Sequence, residues 1–198
     1  MRPSCDGRTG RPGAGQGLDQ ERAAELFHQI VVPQLADGLA LARWLVGSSN
    51  DAEDVMQDAC MRALKAIEDY RGGSARAWVL TIVRNAAFSW LARQRSSALV
   101  MVGDLGDLDE LSGPDRAGGG DPQATPESEL IRRADQQAVA AAIGDLPLPM
   151  REVVVLREVN GFSYKEIAEV LNLPIGTVMS RLARGRQQLA VLIRRNEQ

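Results

Sequence analysis

Apolar residues recur at helical spacing through most of this chain. In "QERAAELFHQIVVPQLADGLALARWLVG" two helical segments meet near Pro33, and Gly47-Ser48-Ser49 interrupts the pattern. A further helix is predicted through "DAEDVMQDACMRALKAIEDY", with Asn50 as its cap and Glu53 three residues on. Ala52, Val55, Met56, Ala59, Ala63 and Ile67 make its inner face. Asp51, Asp54, Asp58, Met61 and Lys65 lie on the far side, with Gln57 beside them. After the loop "RGGS", "ARAWVLTIVRNAAFSWLARQRS" carries one broad apolar face of Trp78, Val79, Ile82, Val83, Ala86 and Trp90. Leu80, Ala87 and Leu91 form a second patch. A helix apolar on so much of its circumference is expected to be covered by neighbours.

The period lapses over residues 98–127, where Gly, Pro and Asp dominate, and this stretch reads as a linker. Helix resumes near Pro126-Glu127. Near the C-terminus, "GFSYKEIAEVLNLPIGTVMSRLARGRQQL" opens with Ser163 and Glu166, the two ends of a capping box. Asn172 closes that short helix, and Pro174 suits the first position of the next. On this last helix Val178, Leu182, Gly185, Leu189 and Ile193 share one face, and Thr177, Ser180, Arg181, Arg184 and Gln188 fall roughly opposite. The expected architecture is all-α. A disordered leader over 1–18 precedes helical domains at 19–97 and 128–198, joined by a flexible acidic linker.

Composition narrows the function. At 198 residues and 44% apolar, the chain suits one domain or two small ones. The net charge of −3 excludes a globally basic nucleic-acid binder, but the charge is unevenly spread. Between residues 98 and 130, Asp104, Asp107, Asp109, Glu110, Asp115, Asp121, Glu127 and Glu129 face one base, Arg116, for a net −7, whereas residues 150–198 sum to +3. Cys5 and Cys60 are too few for a disulfide framework or a zinc site, so a cytoplasmic setting is expected. No apolar run reaches membrane-spanning length, and no secretion signal opens the chain. The one histidine, His28, has no nucleophile motif to serve, and no Gly-rich phosphate loop is present. No cofactor or catalytic role is expected.

Three surfaces carry candidate chemistry. The carboxylates near the start of the 51–68 helix fit its dipole as a solvated face, and equally a docking surface for a basic partner, with Met61 as an adaptable apolar contact. On the 75–95 helix, Thr81, Arg84, Asn85, Ser89, Arg93 and Arg95 suit a nucleic-acid backbone or unstacked bases. The loop Tyr70 to Ser74 is placed to clasp a flipped base. Equally, Arg93 and Arg95 complement a helix C-terminus. The last helix presents hydroxyls and guanidiniums, as a helix in a major groove requires.

"DAEDVMQDACMRALKAI", "ARAWVLTIVRNAAFSWLARQR" and "LPLPMREVVVLREVNGFSYKEIAEVLNLPIGTVMSRLARGRQQL" occur here in one order, separated by a linker. Together they resemble a bacterial RNA polymerase sigma factor of the extracytoplasmic-function type, of the minimal form with domains sigma-2 and sigma-4. The resemblance covers about residues 20–97 and 128–195. It implies a transcription initiation factor whose Asp51, Asp54, Gln57, Asp58 and Met61 dock on the β′ clamp of core polymerase. It implies that Gly72, Gly73, Ser74, Arg76, Trp78, Arg84, Asn85, Ser89 and Arg93 melt and read the −10 element. Ser163, Thr177, Ser180, Arg181, Arg184 and Gln188 would contact the −35 element. The β flap, promoter DNA and an anti-sigma factor are the implied further partners, and the linker would thread toward the RNA exit path. The family often has Asp where this chain has Ser89, Arg where it has Ala92, and Lys or Arg where it has Met179. Two other readings stand beside this one: a sigma-like decoy for an anti-sigma factor, and a stand-alone helix-turn-helix repressor.

Overall fold

The computed structural model describes residues 14–100 and 136–196. Every regular element among them is helical. The elements are α1 (Ala14–Ile30), a 3-10 turn (Val32–Gln34), α2 (Leu35–Val46), α3 (Ser49–Ala66), a second 3-10 turn (Ile67–Asp69) and α4 (Ala75–Val100). They continue with α5 (136–144), α6 (Leu148–Val154) and its π-helical continuation (Val155–Val159), α7 (Tyr164–Leu171) and α8 (Ile175–Asn196). Most of the stretch read as a linker, and the helical restart near Pro126, lie outside the described residues. Inside them, α4 runs on to Val100 and α1 begins at Ala14, within the segment expected as leader. Once a helix is nucleated each added residue gains a hydrogen bond, so Gly15 and Gly17 weaken its first turn without ending it.

The break between α1 and α2 falls at Pro33, as the pattern predicts. Gly47 ends α2 in the left-handed conformation. The cap of α3 is Ser48 rather than Asn50: its extended backbone lets its hydroxyl accept the Asp51 N–H at 3.4 Å. Three polar residues in a row can each cap, and the backbone dihedrals, not the side-chain type, decide among them.

Helices α2, α3 and α4 pack pairwise, with Leu41, Leu45, Val55, Ala59, Leu80 and Val83 buried between them. In the C-terminal half, α6 and α7 both pack on α8 around Val154, Leu156, Phe162, Ile167, Val178 and Leu182. Gly185 sets how closely α8 approaches α6: a Cβ there would sit 2.8 Å from Val154 Cγ2. The halves also touch, α4 against α7 and α2 against α6, so the buried apolar residues form one continuous cluster.

Polar contacts cross this junction. Arg76 donates to Asp37 Oδ2 at 2.7 Å and to the Asn160 carbonyl, while its guanidinium lies 4.1 Å over the Phe162 ring. Asn160 Nδ2 donates to the Asp37 carbonyl at 3.2 Å. Glu152, 2% exposed, accepts from Arg84 at 2.9 Å and from Arg181 at 3.2 Å, one arginine from each half. No helix among the described residues is long and apolar enough to cross a membrane.

Candidate functional site

The outer face of α3 is acidic over its first turns and apolar further along. Asp54 and Gln57 are exposed, and Asp51 is half-buried at the first turn. Asp58 accepts both Nε and Nη2 of Arg62, at 3.1 and 2.7 Å, a forked pair one helical turn apart. Beside these carboxylates Met61 is 56% and Leu64 43% exposed. Sequence spacing did not single out Leu64. Its signal was an apolar residue off the buried face, three positions from Met61.

The second surface starts at the loop ahead of α4. Gly72 and Gly73 both have positive φ, 92° and 96°, and a Cβ at either would meet nothing within 4 Å. Backbone conformation, not crowding, therefore makes glycine the fitting residue in this turn. Tyr70 braces it by donating to the Gly73 carbonyl at 2.8 Å, and its ring lies 5.3 Å from that of Trp78. Ser74 caps α4 by accepting the Ala77 N–H at 3.2 Å. Asn85 and Arg93 are exposed along α4, and the Ser89 hydroxyl donates to the Asn85 carbonyl at 2.8 Å. Arg76 and Arg84 belong to the same stretch but are engaged elsewhere: Arg76 by Asp37 of α2 and the Asn160 carbonyl, and Arg84 by Glu152 of the C-terminal half.

The third surface is the α7–turn–α8 unit. Both arms of the capping box are made: the Glu166 N–H donates to Ser163 Oγ at 3.3 Å, and the Ser163 N–H donates to Glu166 Oε2 at 2.8 Å. Asn172 ends α7 in the left-handed region at φ 50°. Pro174 sits one residue before α8, its carbonyl accepting from Thr177 and Val178. On α8 the inner face is the expected one: Val178, Leu182 and Gly185 are buried, and Leu189 is half-buried. Ser180 and Arg184 are fully on the outside, and Arg184 makes no ion pair among the described residues. Thr177 and Gln188 are half-buried on the flank. Arg181 shares that flank and is taken up by Glu152, while Arg186 pairs with Glu158 at 2.6 Å.

The hydrogen bond from the Ser163 backbone, then that from its hydroxyl, holds the Glu166 carboxyl below its ordinary value of 4.5. A carboxylate favoured by the fold stabilises it above its unfolded pKa, and that contribution is lost as pH falls through the folded pKa. The stability difference between the wild type and Glu166→Gln should therefore shrink on acidification. Urea unfolding of both proteins, from neutral pH down through the carboxylate range, measures it. A pH-independent difference would show that the charge of the box contributes nothing.

Known proteins share this arrangement. Residues 34–97 match the family described as Sigma-70 region 2, and residues 136–189 match Sigma-70, region 4. The chain is 33% identical over 144 residues to the ECF RNA polymerase sigma-E factor of Escherichia coli (strain K12), covering 71% of this chain and 73% of that protein. The Haemophilus influenzae protein of the same name is 32% identical over 149 residues, covering 72% and 74%. Among solved structures, the sigma factor RpoE of Bartonella quintana, in complex with the anti-sigma factor NepR, superposes with a TM-score of 0.69 at 27% identity. It covers 85% of this chain and 96% of that one. CnrH, in complex with the cytosolic domain of CnrY, gives 0.56 at 27% identity over 88% and 96%.

Proposed function

The chain belongs to the extracytoplasmic-function RNA polymerase sigma factors, and on that premise we propose how its surfaces divide the work of starting transcription. It is a transcription initiation factor, binding core RNA polymerase and directing it to promoter DNA. The division of surfaces is as follows. A domain over 19–97 holds both the polymerase-docking face, Asp51, Asp54, Gln57, Asp58 and Met61 with Leu64 added, and the −10 face. Gly72, Gly73, Ser74, Trp78, Asn85, Ser89 and Arg93 form the accessible part of the −10 face. A domain over 128–198 reads the −35 element through α8. The solved sigma factor RpoE, bound to the anti-sigma factor NepR, supports an anti-sigma partner for this chain as well.

The observation that carries the −35 reading is Arg184. It is exposed, unpaired with any described carboxylate, and one turn beyond the exposed Ser180 on a helix whose other face is anchored to α6. Arg181 takes a positioning role: its bond to Glu152 fixes how α8 sits on the domain.

Promoter binding requires the halves to part. Arg84 and Arg181 sit on one carboxylate, at 2.9 and 3.2 Å. Elements named for positions −10 and −35 lie about 25 base pairs apart, about 85 Å at 3.4 Å per base pair. Side chains held on a single carboxylate do not reach both, so the closed arrangement belongs to the free chain.

Run-off transcription with purified core polymerase on a genomic fragment library tests the function. Within it, Arg184→Ala should weaken promoter use by about 5- to 150-fold, the worth of one bidentate base contact, and relax preference at one position. A uniform loss across promoters would instead make Arg184 a phosphate contact. Unchanged transcription would remove α8 from the −35 element.

A further inference from the structure

One exposed side chain of α8 is the wrong kind for solvent. Met179 is 52% exposed, on the N-terminal half of the helix, next to Ser180 and one turn from the exposed Ala183. The inner face of this turn is already filled by the fully buried Val178 and the nearly buried Leu182. Met179 therefore does not serve the core. Ile175, one turn earlier and 50% exposed, lines a shallow depression with Leu173, Pro174 and Ala168, so the outer surface near the start of α8 is apolar as well as polar.

A major-groove floor offers hydrogen-bond donors, acceptors and one apolar group, the C5-methyl of thymine. A methionine brought to that floor has no donor to offer and only a weak acceptor, so the methyl is its natural complement. The thioether is flexible and polarisable, and it adapts to a small apolar target. The neighbours fit the same groove: Gly176 leaves open space, where a Cβ would meet nothing within 4 Å, and Arg184 supplies the cation.

We infer that Met179 is a specificity-determining residue that reads a thymine methyl group in the −35 element. The inference rests on the assignment of α8 to that element and adds to it the base identity at one position. It also divides the helix surface by chemistry: Met179 selects an A·T pair by its methyl, while Arg184 reads a hydrogen-bonding edge or a phosphate.

Thymine and uracil differ by that methyl alone, which makes the test direct. Full-length protein is assembled with core polymerase. Initiation at limiting holoenzyme is then measured on a promoter the protein uses, with each thymine of the −35 element replaced in turn by deoxyuridine. At one position the wild type should lose about fourfold, the worth of burying one methyl group. Met179→Ala should start more weakly on the thymine promoter and show no difference between thymine and uracil at that position. Arg184→Ala should be weaker throughout but keep the thymine preference. The proposal is overturned if no deoxyuridine changes initiation, if the element holds no A·T pair, or if Met179→Ala keeps the full preference. It is equally overturned if Met179→Ala instead weakens core polymerase binding, which would make Met179 a protein contact. Replacing the whole −35 element with unrelated sequence separates the two levels. Insensitivity to that change removes the −35 assignment itself, whereas sensitivity without a thymine effect removes only the role of Met179.

Discussion

Core polymerase is expected to lose this chain when Asp54 and Asp58 are both replaced by Arg. Each replacement turns an attraction for a basic partner into a repulsion, and like charges set against each other across an interface cost several kcal/mol. Two such sites on one face, just ahead of the exposed Met61 and Leu64, should weaken docking by roughly a thousandfold or more. The fold itself should lose little. Asp54 is exposed, and the Asp58–Arg62 pair, 35% and 38% exposed, is a surface pair of about 0.3–0.5 kcal/mol. New like-charge neighbours four residues apart on α3 add a similar small cost. Thermal unfolding of the free variant should therefore lie within a few degrees of wild type while co-purification with core polymerase disappears. Retention of the double variant at wild-type level would move the docking surface elsewhere. Wild-type docking should also weaken with added salt, since exposed charges are screened beyond about 10 Å at 0.1 M.

That face was legible in the sequence because α3 is regular. Six inner positions at helical spacing leave the acids no place but outside, and Ala52, Val55, Ala59, Ala63 and Ile67 are all buried. The α7–α8 unit was legible for a second reason: its caps are local, so Ser163, Glu166 and Asn172 declare the helix ends without help from distant chain. Shared motifs then supplied the family, which periodicity alone leaves open.

The arginines were less legible. A helical wheel puts Arg181 and Arg184 on one polar side, yet one is taken up by a buried carboxylate and the other is exposed, donating only to the Ser180 carbonyl of its own helix among the described residues. What separates them is Glu152, far along the chain and on another helix, whose burial depends on how α6 meets α8. The same holds for Arg76 and Arg84, read from sequence as nucleic-acid contacts. Asp37 reaches Arg76 through the packing of α2 on α4, and Glu152 reaches Arg84 only where the two halves close. Charge pairs made across tertiary contacts leave no mark in local periodicity.

Glu152 is where these contacts converge, and Glu152→Ala is expected to cost about 3 kcal/mol of stability. Both carboxylate oxygens are engaged, Oε2 by Arg84 and Oε1 by Arg181, and the residue is 2% exposed. Removing one partner of a buried ion pair leaves the remaining charge uncompensated, typically at about 3–5 kcal/mol. Here the lower end applies, because Arg84 and Arg181 are 21% and 27% exposed and regain some water. Glu152→Gln should fall between: it keeps an acceptor but loses the charge that holds two guanidiniums. Urea unfolding measures both variants, and the milder one keeps the test readable if the Ala variant does not fold. Double-mutant cycles then divide the effect. Coupling of Glu152→Gln with Arg181→Ala reports how α8 is fixed within its own domain, and coupling with Arg84→Ala reports the closure of the two halves. If the carboxylate joins the halves, both couplings should exceed about 0.5 kcal/mol, the usual floor for residues in one charge network. Coupling to Arg181 alone would make Glu152 a strut of the C-terminal domain and leave the closure to Arg76 and the apolar contact. A loss below about 1 kcal/mol for the Ala variant would mean that the carboxylate holds neither.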